Sequence, residues 1–139
     1  MLDQIAPPQF RVDVPSAMAL RVTATAEATI VAIRGEVDLP VLRRLRTRVG
    51  EEIDLAPRAL VLELSGVSFC GAGGITELLV AASEAHVSGV PFAIAAAGRA
   101  VLRPIRVLGL ERLLPVHGTA EEALEWLAVL PRLRSSGPG

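Results

Sequence analysis

Residues Gly71-Ala72-Gly73-Gly74 are where the residue types and spacing of this 139-residue sequence come nearest to chemistry. Three glycines in four positions, just ahead of a helical pattern, leave bare N–H groups at a helix start, a place where anions bind. The residues that follow refuse the two usual nucleotide patterns. A phosphate loop would end in Gly-Lys-Ser/Thr, and a dinucleotide fingerprint would need glycine at Thr76 and an acid about 20 residues further on. Glycine also accepts φ > 0 and lets a second backbone approach closely. The corner is therefore read as a docking surface for another protein, formed by Gly71, Ala72, Gly73, Gly74, Thr76 and Glu77 with Asp38 brought near by the fold.

The remaining reactive side chains do not assemble into a catalytic or metal pattern. Cys70, the single cysteine, precedes the corner where a small buried hydrophobe is expected, and no histidine or polar orienter is placed beside it. His86 and His117 are far apart and lack cysteines or paired carboxylates at ligand spacing, so they are read as a helix-packing and a strand-end residue. There is no Gly-x-Ser-x-Gly elbow. No catalytic residue, metal site or cofactor is predicted, and the chain is read as a non-enzyme. Trp126 is assigned to the edge of the core. The arginines around positions 43–48 and 99–112 are read as solvated basic faces that would suit an acidic partner.

The elements that must hold the corner follow from composition and periodicity. Hydrophobic residues make up 51% of the chain and aromatics 3%, so the core is built of aliphatic side chains, as in a sheet covered by helices. A net charge of −1 argues against nucleic acid or an anionic membrane as partner. One cysteine excludes an internal disulfide framework and fits a reducing cytoplasm, and no apolar run reaches membrane-spanning length.

Residues 1–17 read as a flexible leader, 18–131 as one domain and 132–139 as a disordered tail. Residues 20–26 and 28–34 alternate as two strands of a hairpin turning at Glu27. Asp38 is placed to cap a helix carrying Pro40 early and Val41, Leu42, Leu45, Val49 and Ile53 on its buried side. Residues 58–64 form a central strand, and a second helix starts near Gly73 with Ile75, Leu78, Leu79, Ala82 and His86 inward. A strand over 91–97, a helix over 98–108 containing Pro104, a strand over 113–117 and a helix opened by a Thr119…Glu122 capping box and stopped by Pro131 complete the order. This β-β-α-β-α-β-α-β-α sequence predicts an α/β fold: a mixed, mostly parallel sheet of four to five strands covered by about four helices.

Glu63-Leu64-Ser65-Gly66-Val67, Phe69 and Gly71–Ile75 resemble the central segment of STAS domains, the family of bacterial anti-sigma factor antagonists. Gly35-Glu36-Val37-Asp38-Leu39 and Leu108-Gly109-Leu110 through Val116 resemble two further landmarks of that family in the right order. The resemblance implies the STAS-like (SpoIIAA-like) fold over roughly residues 20–130. It also implies an anti-sigma factor of the serine-kinase type as partner, in a partner-switching pathway that controls transcription, and it leaves a homodimer open. The family's pattern has Asp at the place of Gly71 and a phosphorylatable serine at the place of Gly73. A chain with glycine there has no phosphoacceptor at the usual site; Ser68 and Thr76 are the hydroxyls near enough to substitute, Thr76 being the exposed one. The alternative carried alongside is a ligand-sensing or scaffold STAS subunit of a larger, for instance transporter-associated, assembly.

Overall fold

The computed structural model describes residues 18–135, with side chains through Leu130. The leader assigned to residues 1–17 lies outside the described residues. Strand β1 (Met18–Ala24) runs antiparallel to β2 (Thr29–Val37), from Met18 opposite Gly35 to Ala24 opposite Thr29. The hairpin turn is wider than a turn at Glu27 alone. Thr25 closes it, its hydroxyl donating to the Ala28 carbonyl at 2.9 Å and accepting from the Ala28 N–H at 3.1 Å.

After β2 a short 3-10 turn, Leu39–Val41, leads into helix α1 (Leu42–Asp54). Strand β3 (Leu60–Cys70), helix α2 (Ala72–Val87), strand β4 (Phe92–Ala95), helix α3 (Arg99–Val107), strand β5 (Val116–His117) and helix α4 (Ala120–Ser135) follow. The sheet order is β1-β2-β3-β4-β5, and β2 to β5 are all parallel. Each crossover advances the sheet in the same direction. Right-handed connections therefore put α1, α2 and α3 on one face and leave the other to α4.

Side-chain alternation along the strands divides the core accordingly. Val31, Ile33, Leu60, Leu62 and Ile94 pack under Leu45, Val49 and Ile53 of α1, Ile75, Leu78, Ala81 and Ala85 of α2, and Val101 and Ile105 of α3. On the opposite face Val61, Ala93 and Ala95 meet Ala123 and Leu127 of α4. The expected α/β architecture, a five-stranded mixed sheet with four helices, is present.

Several local expectations are corrected. Strand β3 continues six residues past Leu64, because bulges absorb the Ser65-Gly66 pair without ending the ladder. The inward stripe of α2 runs through Ala81 and Ala85, small enough to seat the helix closely on the sheet, and His86 is exposed instead of packed. Strand β5 is only two residues long, and Leu113 faces solvent. Pro104 sits inside α3. Helix α4 passes Pro131 and continues to Ser135, so it extends four residues into the segment assigned to a tail. A proline near the end of a helix removes one donor while holding a helical φ, which permits that continuation. The capping box forms with a shift: Glu122 N–H donates to Thr119 Oγ1 at 3.1 Å, while the Glu122 carboxylate accepts from Gly118 N–H at 3.0 Å.

Candidate protein-docking surface

The corner is set by how β3 hands over to α2. Gly71 N–H donates to the Val37 carbonyl at 2.9 Å, the last rung between β2 and β3, and Ile75 N–H donates to the Gly71 carbonyl at 3.1 Å, the first turn of α2. Just upstream, Gly35 pairs with Val67 and Glu36 with Phe69, so Ser68 is an extra residue on β3. That bulge reverses the alternation. Val67 and Cys70 face the core, and Phe69 turns outward with 49% of its surface exposed.

The glycines are spaced so that the end of β2 and the start of α1 can close on them. A methyl group added at Gly71 would lie 2.8 Å from Asp38 Oδ1 and 3.5 Å from the Phe69 ring. One added at Gly73 would lie 2.5 Å from Leu42 Cδ1 and 3.8 Å from Leu39 Cδ2. At Gly74 it would meet Cys70 Sγ and Val37 Cγ1, both at 2.8 Å, inside the core. Gly74 is thus a packing glycine, whereas Gly71 and Gly73 form a shallow notch walled by Asp38, Leu39, Leu42 and Phe69. Leu39 is 75% exposed, and Ala72 is also on the surface.

Asp38 occupies the N-cap position of the 3-10 turn, but its carboxylate makes no cap hydrogen bond. It stands beside Gly71 instead, which brings Asp38 to the corner as expected and corrects the capping role. A carboxylate there also opposes binding of a second anion at the start of α2.

Two other predicted members are engaged within the chain. Thr76 is exposed, but its hydroxyl donates to the Ala72 carbonyl at 3.1 Å. Glu77 accepts a two-pronged pair of hydrogen bonds from Arg46, at 2.9 and 2.8 Å, and its side chain is only 10% exposed. That pairing raises the Arg46 pKa and ties α1 to α2 beside the notch. Ser68, expected to be the less exposed of the two hydroxyls, is also exposed on β3.

The one thiol at the corner is held neutral. Burial, reinforced by the nearby Asp38 charge, pushes the Cys70 thiol up to about 11, so it is neutral at physiological pH. Among the described residues no group of His, Cys, Asp and Glu is arranged to hold a metal. What the surface offers is shape: two exposed apolar side chains around a backbone notch with one carboxylate at its edge. Leu39, Leu42 and Phe69 were not among the docking residues expected from the sequence. The bulge at Ser68 that turns Phe69 outward arises from pairing with β2 and has no signature in the local sequence.

The "Mlab, STAS domain" family model matches residues 20–115, and the chain belongs to the STAS domain family. Among curated relatives, the anti-sigma-F factor antagonist RsfB of Mycobacterium tuberculosis is 33% identical over 110 residues, 79% of this chain and 89% of that protein. RsfA of the same organism, also an anti-sigma-F factor antagonist, is 31% identical over 118 residues, covering 83% and 91%. The crystal structure of an anti-sigma factor antagonist from Mycobacterium paratuberculosis superposes with a TM-score of 0.76 at 28% identity, covering 82% of this chain and 97% of that one. Among the described residues no helix is long and apolar enough to cross a membrane.

Proposed function

We propose that this protein is an anti-sigma factor antagonist. It captures an anti-sigma factor of the serine-kinase type through the notch at the start of α2 and so releases a sigma factor for transcription. The names of its mycobacterial relatives support the antagonist role. The observation that carries the choice of site is the exposed pair Leu39 and Phe69 flanking the hydroxyl-free Gly71–Gly73 backbone, with Asp38 beside it. Large apolar side chains left in solvent around a recessed backbone are what a protein interface uses as anchors.

In this reading Gly71, Ala72 and Gly73 meet the partner directly. Gly74 supports them from inside, and Thr76 and Glu77 brace the rim through Ala72 and Arg46. Gly73 carries no hydroxyl, so capture is not reversed by phosphorylation at that position. Thr76 is the substitute phosphoacceptor to test, although its hydroxyl is already bonded to Ala72.

The test is incubation of the full chain with its cognate serine-kinase anti-sigma factor and labelled ATP, followed by size-exclusion chromatography. A stable complex without label on the chain is expected, and Gly73→Asp abolishes the complex. No complex with the wild-type chain, or undiminished capture by Gly73→Asp, overturns the proposal.

A further inference from the structure

Helix α4 packs on β3, β4 and β5, and among the described residues no helix lies over the same face of the β1–β2 hairpin. Met18, Leu20 and Val22 of β1 and Val31 and Ile33 of β2 point into the main core. Alternation therefore sends Ala19, Arg21, Thr23, Ile30, Ala32 and Arg34 to the side that α4 leaves bare. Two open clefts lie there. One, of about 400 Å³, is lined by Ala19, Arg21, Ala32, Arg34, Glu63 and Gly66 among others. The other, of about 470 Å³, lies where Ile30 meets Leu124 and Leu127 of α4.

The strand register makes this face a checkerboard of large and small side chains. Arg21 stands opposite Ala32, and Ala32 opposite Glu63. In the next row Ala19 stands opposite Arg34, and Arg34 opposite Gly66, where an added methyl group would lie 2.6 Å from Arg34 Cβ. On the other side of the Arg21 row, Thr23 stands opposite Ile30. Arg21 and Arg34 are exposed and form no ion pair among the described residues, where Glu63 accepts only the Ser65 N–H, at 3.1 Å. The charged side chains lining the two clefts are Arg21, Arg34 and Arg58 against Glu27 and Glu63, and Glu36 follows near the end of β2. Glu121 and Glu125 of α4 are exposed but line neither cleft. The two signs balance, so nothing here attracts nucleic acid, an anionic lipid surface or a peptide of one sign. A balanced mixture is what a surface needs to meet itself, because across a two-fold axis every group must find its complement within the same patch.

We propose that the occupant of this face is a second copy of the chain, packed sheet to sheet about a two-fold axis that runs along the strands between β1 and β2. That axis lays each β1 over the β2 of the other copy. Arg21 then sits over Ala32, Arg34 over Ala19 and Ile30 over Thr23, a large side chain over a small one in every row. The arginine stems fill the space between sheets about 10 Å apart, and the Arg21 guanidinium reaches Glu63 of the second copy, one strand further on. The overlap ends at β2, so α4 flanks the β1 edge of the second copy and the notch at the start of α2 stays open. The dimer carries two notches, and its formation does not depend on what they bind.

Sedimentation equilibrium of the full chain, from micromolar to near-millimolar concentration, tests this, with circular dichroism to confirm that each variant is folded. A reversible equilibrium between monomer and dimer is expected. Ala32→Arg fills the hole under Arg21 and should raise the dimer dissociation constant at least about tenfold. Arg21→Glu and Glu63→Arg, each alone, set like charges against each other and should weaken the dimer by about tenfold, whereas the double variant Arg21→Glu, Glu63→Arg restores the pair and should return within about threefold of wild type. Leu39→Asp, which alters the notch, should dimerise as the wild type does. The proposal is overturned by a chain that stays monomeric throughout, which leaves this face to solvent, to residues 1–17 or to another protein. Association beyond the dimer, a folded Ala32→Arg variant that dimerises undiminished, or a double variant no better than either single one overturns it equally.

Discussion

Replacing each of the adjacent glycines of α2 by alanine separates packing from docking, because the two would-be methyl groups meet different neighbours. At Gly74 the methyl lies 2.8 Å from Cys70 Sγ and Val37 Cγ1 and 3.2 Å from the Val37 carbonyl, all of them fixed between β2 and β3. Overpacking of this kind costs about 1–3 kcal/mol. Alanine recovers about 0.5–1 kcal/mol over glycine in a helix, which leaves a net loss of about 1–2 kcal/mol. For a domain of this size that lowers Tm by about 3–10 °C. At Gly73 the closest atom is Leu42 Cδ1, the end of a half-exposed side chain that can rotate away. The helix gain then offsets the displacement, and Gly73→Ala should stay within about 1 kcal/mol of wild type. Thermal and urea unfolding followed by circular dichroism measure both. If Gly73→Ala is as destabilising as Gly74→Ala, the notch is a sealed part of the core and the separation fails.

Two further outcomes are expected of the fold. The Cys70 thiol is raised from 9.0 to about 11, so the unfolded chain ionises first. Between those values the unfolded state binds fewer protons, and stability falls as pH rises. The chain has no lysine or tyrosine to confuse that window. Urea midpoints should therefore drop from pH 9 to 11 in wild type and stay flatter in Cys70→Ala; equal slopes would contradict the assignment. Thr119→Ala removes the acceptor of the Glu122 N–H bond at the start of α4 and should cost about 1 kcal/mol in urea unfolding. A Thr119→Ser variant, which keeps the hydroxyl, should lose little.

Most of the architecture was legible because aliphatic runs and helical stripes repeat with little ambiguity in this chain. Leu60, Leu62 and Leu64 alternate with Val61, and the glycine exits at Gly89 and Gly109, with φ of +73° and +68°, end α2 and α3 where a left-handed residue is needed. The corner itself was legible as residues 71–74, and so was the nearness of Asp38. Its walls were not. Periodicity assigns Val67 and Phe69 to the same face of a strand, and only the bulge at Ser68, a property of pairing with β2, turns Phe69 outward. Leu42 read as an ordinary core position of a helix, and Leu39 carried no assignment beyond its place after Asp38. The 3-10 turn that precedes α1 leaves Leu39 in solvent and aims Leu42 at Gly73. Glu77 read as a free surface acid because its partner, Arg46, lies 31 residues away on another helix.

The central claim, that the notch at the start of α2 is where an anti-sigma factor is held, is tested most directly by hydrogen–deuterium exchange of the chain alone and in complex with its serine-kinase anti-sigma factor. Slowed exchange confined to residues 38–42 and 69–77, with the β1–β2 hairpin turn unchanged, is the predicted result. A complex in which those two segments exchange as fast as in the free chain would contradict it.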